Sequence, residues 1–372
     1  MQITQEQLFD IHYSMLSEPG DALAGILYRE LGARKAIEQV LEGGVEQRWL
    51  QLLESIGAYE YLGHIPATIE RFRLRLKHFD PERAVEQQLR FGGRVLILRN
   101  HDSISKLYEP LGVHAPLVLW IRGNAEVLSA PSVSIVGTRE ATRSGVTFTQ
   151  QVVRQVAHRF ATISGGARGI DTAAHYAALA LRAQTVAYMA GGLARLYPRE
   201  NAKLFEQIVD NGVLVSECAP EVDPTKWRFL QRNRLIASHG LMTLVVEAAM
   251  RSGARNTAGH AFACGKPVFA RPGHAALPSS QGCNQLITDG IAQPISNPAE
   301  LPALLEGNSE AGRLSGFTSN ETRVLDALSR FPKALERICL DSGLSAAEAV
   351  ETLRSLTKCR IAFRTPRGWM LG

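Results

Sequence analysis

The spacing of apolar side chains changes character at about residue 91. Before it, apolar positions such as Leu23, Ile26, Leu27, Leu31, Ile37, Val40 and Leu41 recur every three or four residues, with Gly32 and the Gly43-Gly44 pair as punctuation. That period puts one stripe on a helix, so residues 1–70 are predicted to form a small helical module of the SAM-like or helix-hairpin-helix kind. After residue 91 the apolar residues come in short continuous runs: RVLILR (94–99), PLVLWIRG (116–123), VSIVG (133–137), ATIS (161–164), TVAYMAG (185–191), GVLVSE (212–217), LMTLVVE (241–247) and PVFARPG (267–273). Helical patterns fill the gaps at roughly 145–160, 169–182, 200–211, 231–239, 255–265 and 281–290. Continuous apolar strands alternating with helices predict an α/β fold: an extended Rossmann-like, doubly wound and mostly parallel sheet over residues 71–300.

The pattern then lapses. Residues 297–316 are rich in Pro, Gly, Ser and Asn, and 301–316 read as a linker. Beyond it, helical stretches at 321–330, 334–341 and 345–357 precede a β-like end, IAFRTPRGWM, an order that predicts a winged-helix module over 317–372. Its third helix opens SAAEAVETL, acidic where a groove-reading helix presents basic or amide side chains, so a protein-contacting or structural role is expected. Arg360, Arg364 and Arg367 lie near the expected wing.

Charge sharpens this division. The chain of 372 residues carries a net +5, but residues 1–130 are at −3 while 131–300 stand at +6 and 317–372 at +3. The positive excess lies on the predicted sheet domain, where an anionic partner gains long-range attraction. The N-terminus lacks the basic and apolar regions of a signal peptide, and no apolar run approaches the ~18 residues of a membrane span. Five scattered cysteines without CxxC spacing argue against a metal site or disulfide framework and fit a reducing cytoplasm.

Candidate chemistry concentrates in three glycine turns that follow predicted strands: VGTR (136–139), SGGARG (164–169) and AGG (190–192). In a doubly wound sheet, ligands bind beyond the carboxyl ends of the strands, and glycine turns opening into helices direct N–H groups at an anion. Arginines stand beside them: Arg139, Arg168, Arg199, and Arg232 and Arg234 flanking Asn233 at the predicted start of a helix. Guanidinium groups bind phosphates bidentately, so Gly137, Thr138, Arg139, Ser164, Gly165, Gly166, Arg168, Arg199, Arg232, Asn233 and Arg234 form a candidate phosphate-binding ledge. Other chemistries fail. GHAFACGKP (259–267) has the wrong spacing for a P-loop and Pro267 where a Mg²⁺ hydroxyl belongs, and SGGARG lacks the dinucleotide fingerprint. No nucleophile elbow or zinc-protease motif is present, so no catalytic residue, cofactor or metal is expected.

These blocks carry a resemblance. SIVGTREATRSG (134–145), SGGARGIDTAAHYAAL (164–179), AGGLARLYPREN (190–201), RNRLIA (232–237), LVVEA (244–248), SGARNTAGHAFACGKPVFARPG (252–273) and SSQGCNQLITDGI (279–291) are similar, in order and spacing, to the DNA-processing protein A family (DprA, also called Smf). The resemblance implies a protein that binds single-stranded DNA in a basic pocket and dimerises. It further implies that the protein helps load the RecA recombinase onto strands coated by single-strand-binding protein, protecting DNA taken up in natural transformation. By the same resemblance, Arg139 and Arg199 match the principal DNA-contacting positions, and Gly137, Thr138, Ser164, Gly165, Gly166 and Arg232 match the loops around them. One departure stands out: many members have a Phe-Pro pair before RNR, where this chain has Phe229-Leu230-Gln231. The turns also resemble those of nucleoside phosphoribohydrolases, but Glu247 precedes the glycines of VVEAAMRSGARNTAGHA and no matching acid follows them, which speaks against an enzyme. A single-strand-binding protein without RecA contact is the other alternative.

Overall fold

Local caps start the first helices in a computed structural model that describes residues 3–98, 103–307, 319–329, 331–358, 361–366 and 368–371. Thr4 and Gln7 form a reciprocal box at the start of α1 (Gln5–Leu16), and Asp21 accepts the Ala24 N–H at 3.0 Å to open α2 (Ala22–Leu41). The second helix is kinked at Gly32, whose φ of 76° interrupts it. Helices α3 (Val45–Ser55), α4 (Ile65–His78) and α5 (Pro81–Arg90) follow. Tyr13, Leu16, Leu27, Trp49 and Phe72 are wholly buried in the helical core. The other side of α1, with Ile11 and Met15, packs instead with sheet residues such as Val118 and Trp120. The boundary expected at 70/71 therefore falls inside α4, because the apolar stripe of that helix runs on through Ile69 and Phe72.

The rest of the first unit (Met1–Asn308) runs β1 (Gly93–Ile97), β2 (Val118–Gly123), β3 (Ser132–Val136), α6 (Arg143–Val156), β4 (Ala161–Ser164), α7 (Ile170–Ala180), β5 (Thr185–Met189), α8 (Ala202–Asn211) and β6 (Val213–Ser216). It continues α9 (Lys226–His239), β7 (Thr243–Val245), α10 (Gly253–Ala263), β8 (Val268–Ala270), α11 (Pro278–Thr288), β9 (Gln293–Pro294) and α12 (Leu301–Gly307). Among the described residues these strands form one sheet in the order β1-β2-β6-β5-β4-β3-β7-β8-β9. All pairs from β6 to β9 are parallel, and β1 and β2 add an antiparallel edge. Strands β3 to β6 are buried at every position, as strands covered by helices on both faces must be. The chain winds outward from β3 through β4, β5 and β6, then returns to β7 on the other side. The winding direction thus reverses between β3 and β7, where the crevice of such a sheet opens.

Two segment expectations change. Residues 301–307 are not linker but helix: Leu301 and Leu305 are buried in the core shared with α6, so apolar spacing prevails over the Pro- and Gly-rich composition. Residues 308–316 lie outside the described residues. The helix expected at 231–239 begins earlier, at Lys226, where Thr225 accepts the Arg228 N–H at 3.2 Å. With Leu rather than Pro at 230 the backbone keeps its N–H, so the helix extends through Phe229-Leu230-Gln231.

The second unit (Ser309–Gly372) has the element order expected: α13 (Ser319–Ala327), α14 (Leu335–Ser342), α15 (Ala346–Lys358) and a hairpin of β10 (Ala362–Thr365) with β11 (Gly368–Leu371). Its core is built from Val324, Ile338, Ala349 and Leu353. Glu348, in the acidic first turn of α15, caps its own helix through the Ser345 N–H and hydroxyl. Arg364 lies on β10 with its guanidinium 5.7 Å from the Trp369 ring, whereas Arg360 and Arg367 are outside the described residues. Among the described residues no helix is long and apolar enough to cross a membrane.

Candidate functional site

The three glycine turns meet at the carboxyl ends of β3, β4 and β5, and each is fixed by its neighbours. In the first, the Thr138 N–H donates to the Glu247 carbonyl beyond β7 at 2.7 Å, and the Thr138 carbonyl accepts the Ile170 N–H at 3.1 Å. The Glu247 carboxylate, 5 % exposed, accepts from the Thr142 N–H at 3.0 Å and hydroxyl at 2.5 Å, with Arg271 at 3.9 Å. It therefore ties the crevice loop to the start of α6. Gly169 has φ of 83°, and a Cβ there would lie 2.2 Å from the Thr138 carbonyl oxygen, so only glycine lets the first two turns touch.

The second turn departs from expectation. Its amides carry an internal anion: Asp171 accepts the Gly165 N–H at 3.2 Å and the Ala167 N–H at 3.4 Å. An acid in the first turn of α7 is where the helix dipole favours one, so the protein supplies the charge that SGGARG was expected to receive from a ligand. Burial raises the Asp171 pKa above the ordinary carboxylate range, and Arg232 and these amides work the other way. Ser164 donates to the Ile135 carbonyl at 2.6 Å, and Asn201 donates to the Gly166 carbonyl at 2.9 Å, joining the third turn region to the second.

The RNR arginines sit in the middle of α9 and are buried, not at a helix start facing solvent. Arg232, 6 % exposed, donates to the carbonyls of Gly165 and Tyr188, and its guanidinium fills the space a Cβ on Gly165 would need. Burial pushes its pKa down to about 10, with Asp171 opposing, so it stays charged at neutral pH. Asn233 donates to the Gly253 carbonyl and to Asn256. Arg234, 2 % exposed, is held by both oxygens of Glu217 at 2.7 and 2.8 Å. Its Nη2 is committed to that carboxylate, and its Nε lies against Gly20 of the helical module rather than on the ledge.

What faces solvent is a smaller constellation. Arg139, Arg168 and Arg199 are exposed. The Arg139 guanidinium stands 5.2 Å from the centroid of the Phe229 ring, and Tyr197 meets the same ring edge-on at 5.7 Å. Arg139, Arg168, Tyr197 and Phe229 line one cleft, with Glu140 and Glu200 among its walls. Phe229 and Tyr197 were not among the expected site residues, although an aromatic beside a basic residue in KWRF and LYPRE was a legible signal. Aromatic faces accept stacked planar rings and guanidinium groups hold phosphates, so the cleft suits a nucleotide strand with its bases unpaired.

Comparison with known proteins agrees with this chemistry. Residues 95–306 match the model of the family described as DNA recombination-mediator protein A. A DprA-type protein of Mycobacterium tuberculosis is 33 % identical over 379 residues, covering 94 % of this chain and 91 % of its own length. The structure of DNA processing protein A from Streptococcus pneumoniae is similar with a TM-score of 0.61 and 28 % identity, over 82 % of this chain and 98 % of that one. That of DNA processing protein A from Helicobacter pylori, described with a single-stranded DNA binding mode, gives 0.52 and 31 %, over 57 % of this chain and 96 % of that one.

Proposed function

Given that the chain belongs to the DNA recombination-mediator protein A family, we propose that it binds single-stranded DNA in the Arg139–Phe229 cleft and mediates recombination without turnover of its own. In this reading it protects incoming strands and helps load the RecA recombinase on DNA covered by single-strand-binding protein, as a homodimer, in natural transformation. The C-terminal unit is read as a winged-helix module that contacts protein, because its third helix opens on Glu348. The observation that carries the proposal is the cleft itself: exposed guanidinium groups beside the Phe229 and Tyr197 rings, held on loops fixed from below by Arg232, Asp171 and Asn201.

Fluorescence anisotropy with a single-stranded oligonucleotide and its duplex is the test. The single strand should bind more tightly, with log Kd rising with log salt by roughly 0.7 for each phosphate neutralised. Arg139→Ala and Arg199→Ala should each weaken binding by roughly ten- to a hundredfold, the worth of about 1.5–3 kcal/mol for a charged hydrogen bond, with Tm unchanged. Equal affinity for duplex and single strand, or full affinity in both variants, would sink the proposal. Recovery of RecA recombinase on immobilised protein separates loading from simple strand binding.

The reading without turnover is supported by Glu247, the acid after β7, whose two oxygens are engaged by Thr142 and Arg271. No base should be released from nucleoside monophosphates. Release that disappears in Glu247→Gln would establish the hydrolase instead.

A further inference from the structure

Helix α9 has a second face. Residues two apart on a helix point to nearly opposite sides, with Cα atoms about 5 Å apart. Phe229 faces the cleft, while Trp227, 56 % exposed, lines a separate groove against the helical module with Tyr61, His64 and Arg71. The Tyr61 and His64 rings lie 6.4 Å apart, so the groove offers three planar side chains from two parts of the chain. Its carboxylates are already paired. Glu18 is bound by Arg75 and by Arg228, and Asp21 by Arg71, which sets three guanidinium groups against two acids, with exposed Lys226 at the end of α9 between the two faces. An exposed tryptophan with a cation beside it and acids already paired is the composition of a base-stacking platform.

We propose that this groove is a second nucleobase subsite: the single strand leaving the Phe229 cleft passes Lys226 and stacks a base on Trp227 against the helical module. The occupant is the same strand, because both sites share the first two turns of α9. The inference rests on the proposed strand-binding function. It makes the helical module part of the DNA site.

Tryptophan fluorescence reads it directly. Trp49 and Trp120 are wholly buried, and Trp369 is removed as a signal by working in a Trp369→Phe background. Oligothymidylate of about 20 nucleotides should quench the emission of the full chain, while one of about 4, short enough to occupy the cleft alone, should bind with far less quenching. Trp227→Ala should weaken the long oligonucleotide by about five- to a hundredfold, as loss of one stacked base does, and leave the short one and the Tm unchanged. Tyr61→Ala should reproduce the loss from the other wall. Binding of the long strand without quenching, or equal affinity of Trp227→Ala and the parent for it, overturns the subsite and leaves the Arg139 cleft standing. A parent that binds neither oligonucleotide overturns both.

Discussion

Arg232→Met is expected to lower unfolding free energy by roughly 3–5 kcal/mol and to abolish strand binding with it. Methionine keeps most of the volume but leaves the Gly165 and Tyr188 carbonyls without their guanidinium donor and Asp171 without a cation, all in buried positions. An unsatisfied buried acceptor costs about 1–3 kcal/mol, and an uncompensated buried carboxylate more. The Asp171 pKa, already raised by burial, should rise further, weakening its hold on the Gly165 and Ala167 amides. Arg232→Lys keeps the charge but not the fork that reaches two carbonyls, so it should fall between parent and methionine. Arg168→Ala, at an exposed position, should leave the urea midpoint in place. A midpoint for Arg232→Met equal to that of the parent would mean that Arg232 is not what holds the second turn.

Acid should destabilise the protein well above the range in which carboxylates titrate. His175 is wholly buried, and burial, then the charge of Arg232, lowers its pKa to about 3. His239, 3 % exposed, is lowered to about 4, chiefly by burial, against the opposing bond to the Leu128 carbonyl. It closes a buried chain in which Tyr108 and Tyr188 hydroxyls lie 2.5 Å apart and Tyr188 meets His239 Nδ1 at 2.7 Å. For both histidines the folded pKa lies below the unfolded value of 6.5. Their contribution is therefore complete above pH 6.5 and is lost as pH falls toward 4 for His239 and toward 3 for His175. For His239 the full loss is about 3 kcal/mol, at 1.36 kcal/mol per unit of pKa difference. Asp171 has the opposite sign, gaining on protonation, and offsets part of the loss at the acid end. Thermal melts from pH 7.5 to 5 should show a falling Tm, with a shallower slope in His239→Gln, where a neutral amide takes the place of the ring. A Tm flat across that range would contradict the assignment of both histidines.

Two site residues illustrate how far residue type carries. Arg139 and Arg232 are the same amino acid, and residue type alone puts both among the phosphate-binding candidates. Arg139 lies in the turn after β3 and meets solvent, whereas Arg232 falls in the middle of α9, where Gly165 leaves the gap its guanidinium occupies. Arg234, two residues on, is turned to Glu217 on another side of the same helix. Phe229 gave the converse error. Noted only for the proline that does not follow it, Phe229 is the ring on which Arg139 and Tyr197 converge, on a helix that begins at Lys226.

Strand and helix periods, the glycine turns and the family resemblance were legible because each is local: burial on both faces requires continuous apolar strands, and tight turns require glycine. Those constraints alone gave the parallel sheet and put the glycine turns at the ends of β3, β4 and β5. Three things came only from tertiary structure. Asp171 fills the second turn, Arg232 and Arg234 lie beneath the surface, and the helical module continues past residue 70 to pack on the sheet and meet α9 at Trp227. Each depends on which distant segment stands opposite a side chain, and a sequence records the side chain but not its neighbour across the fold.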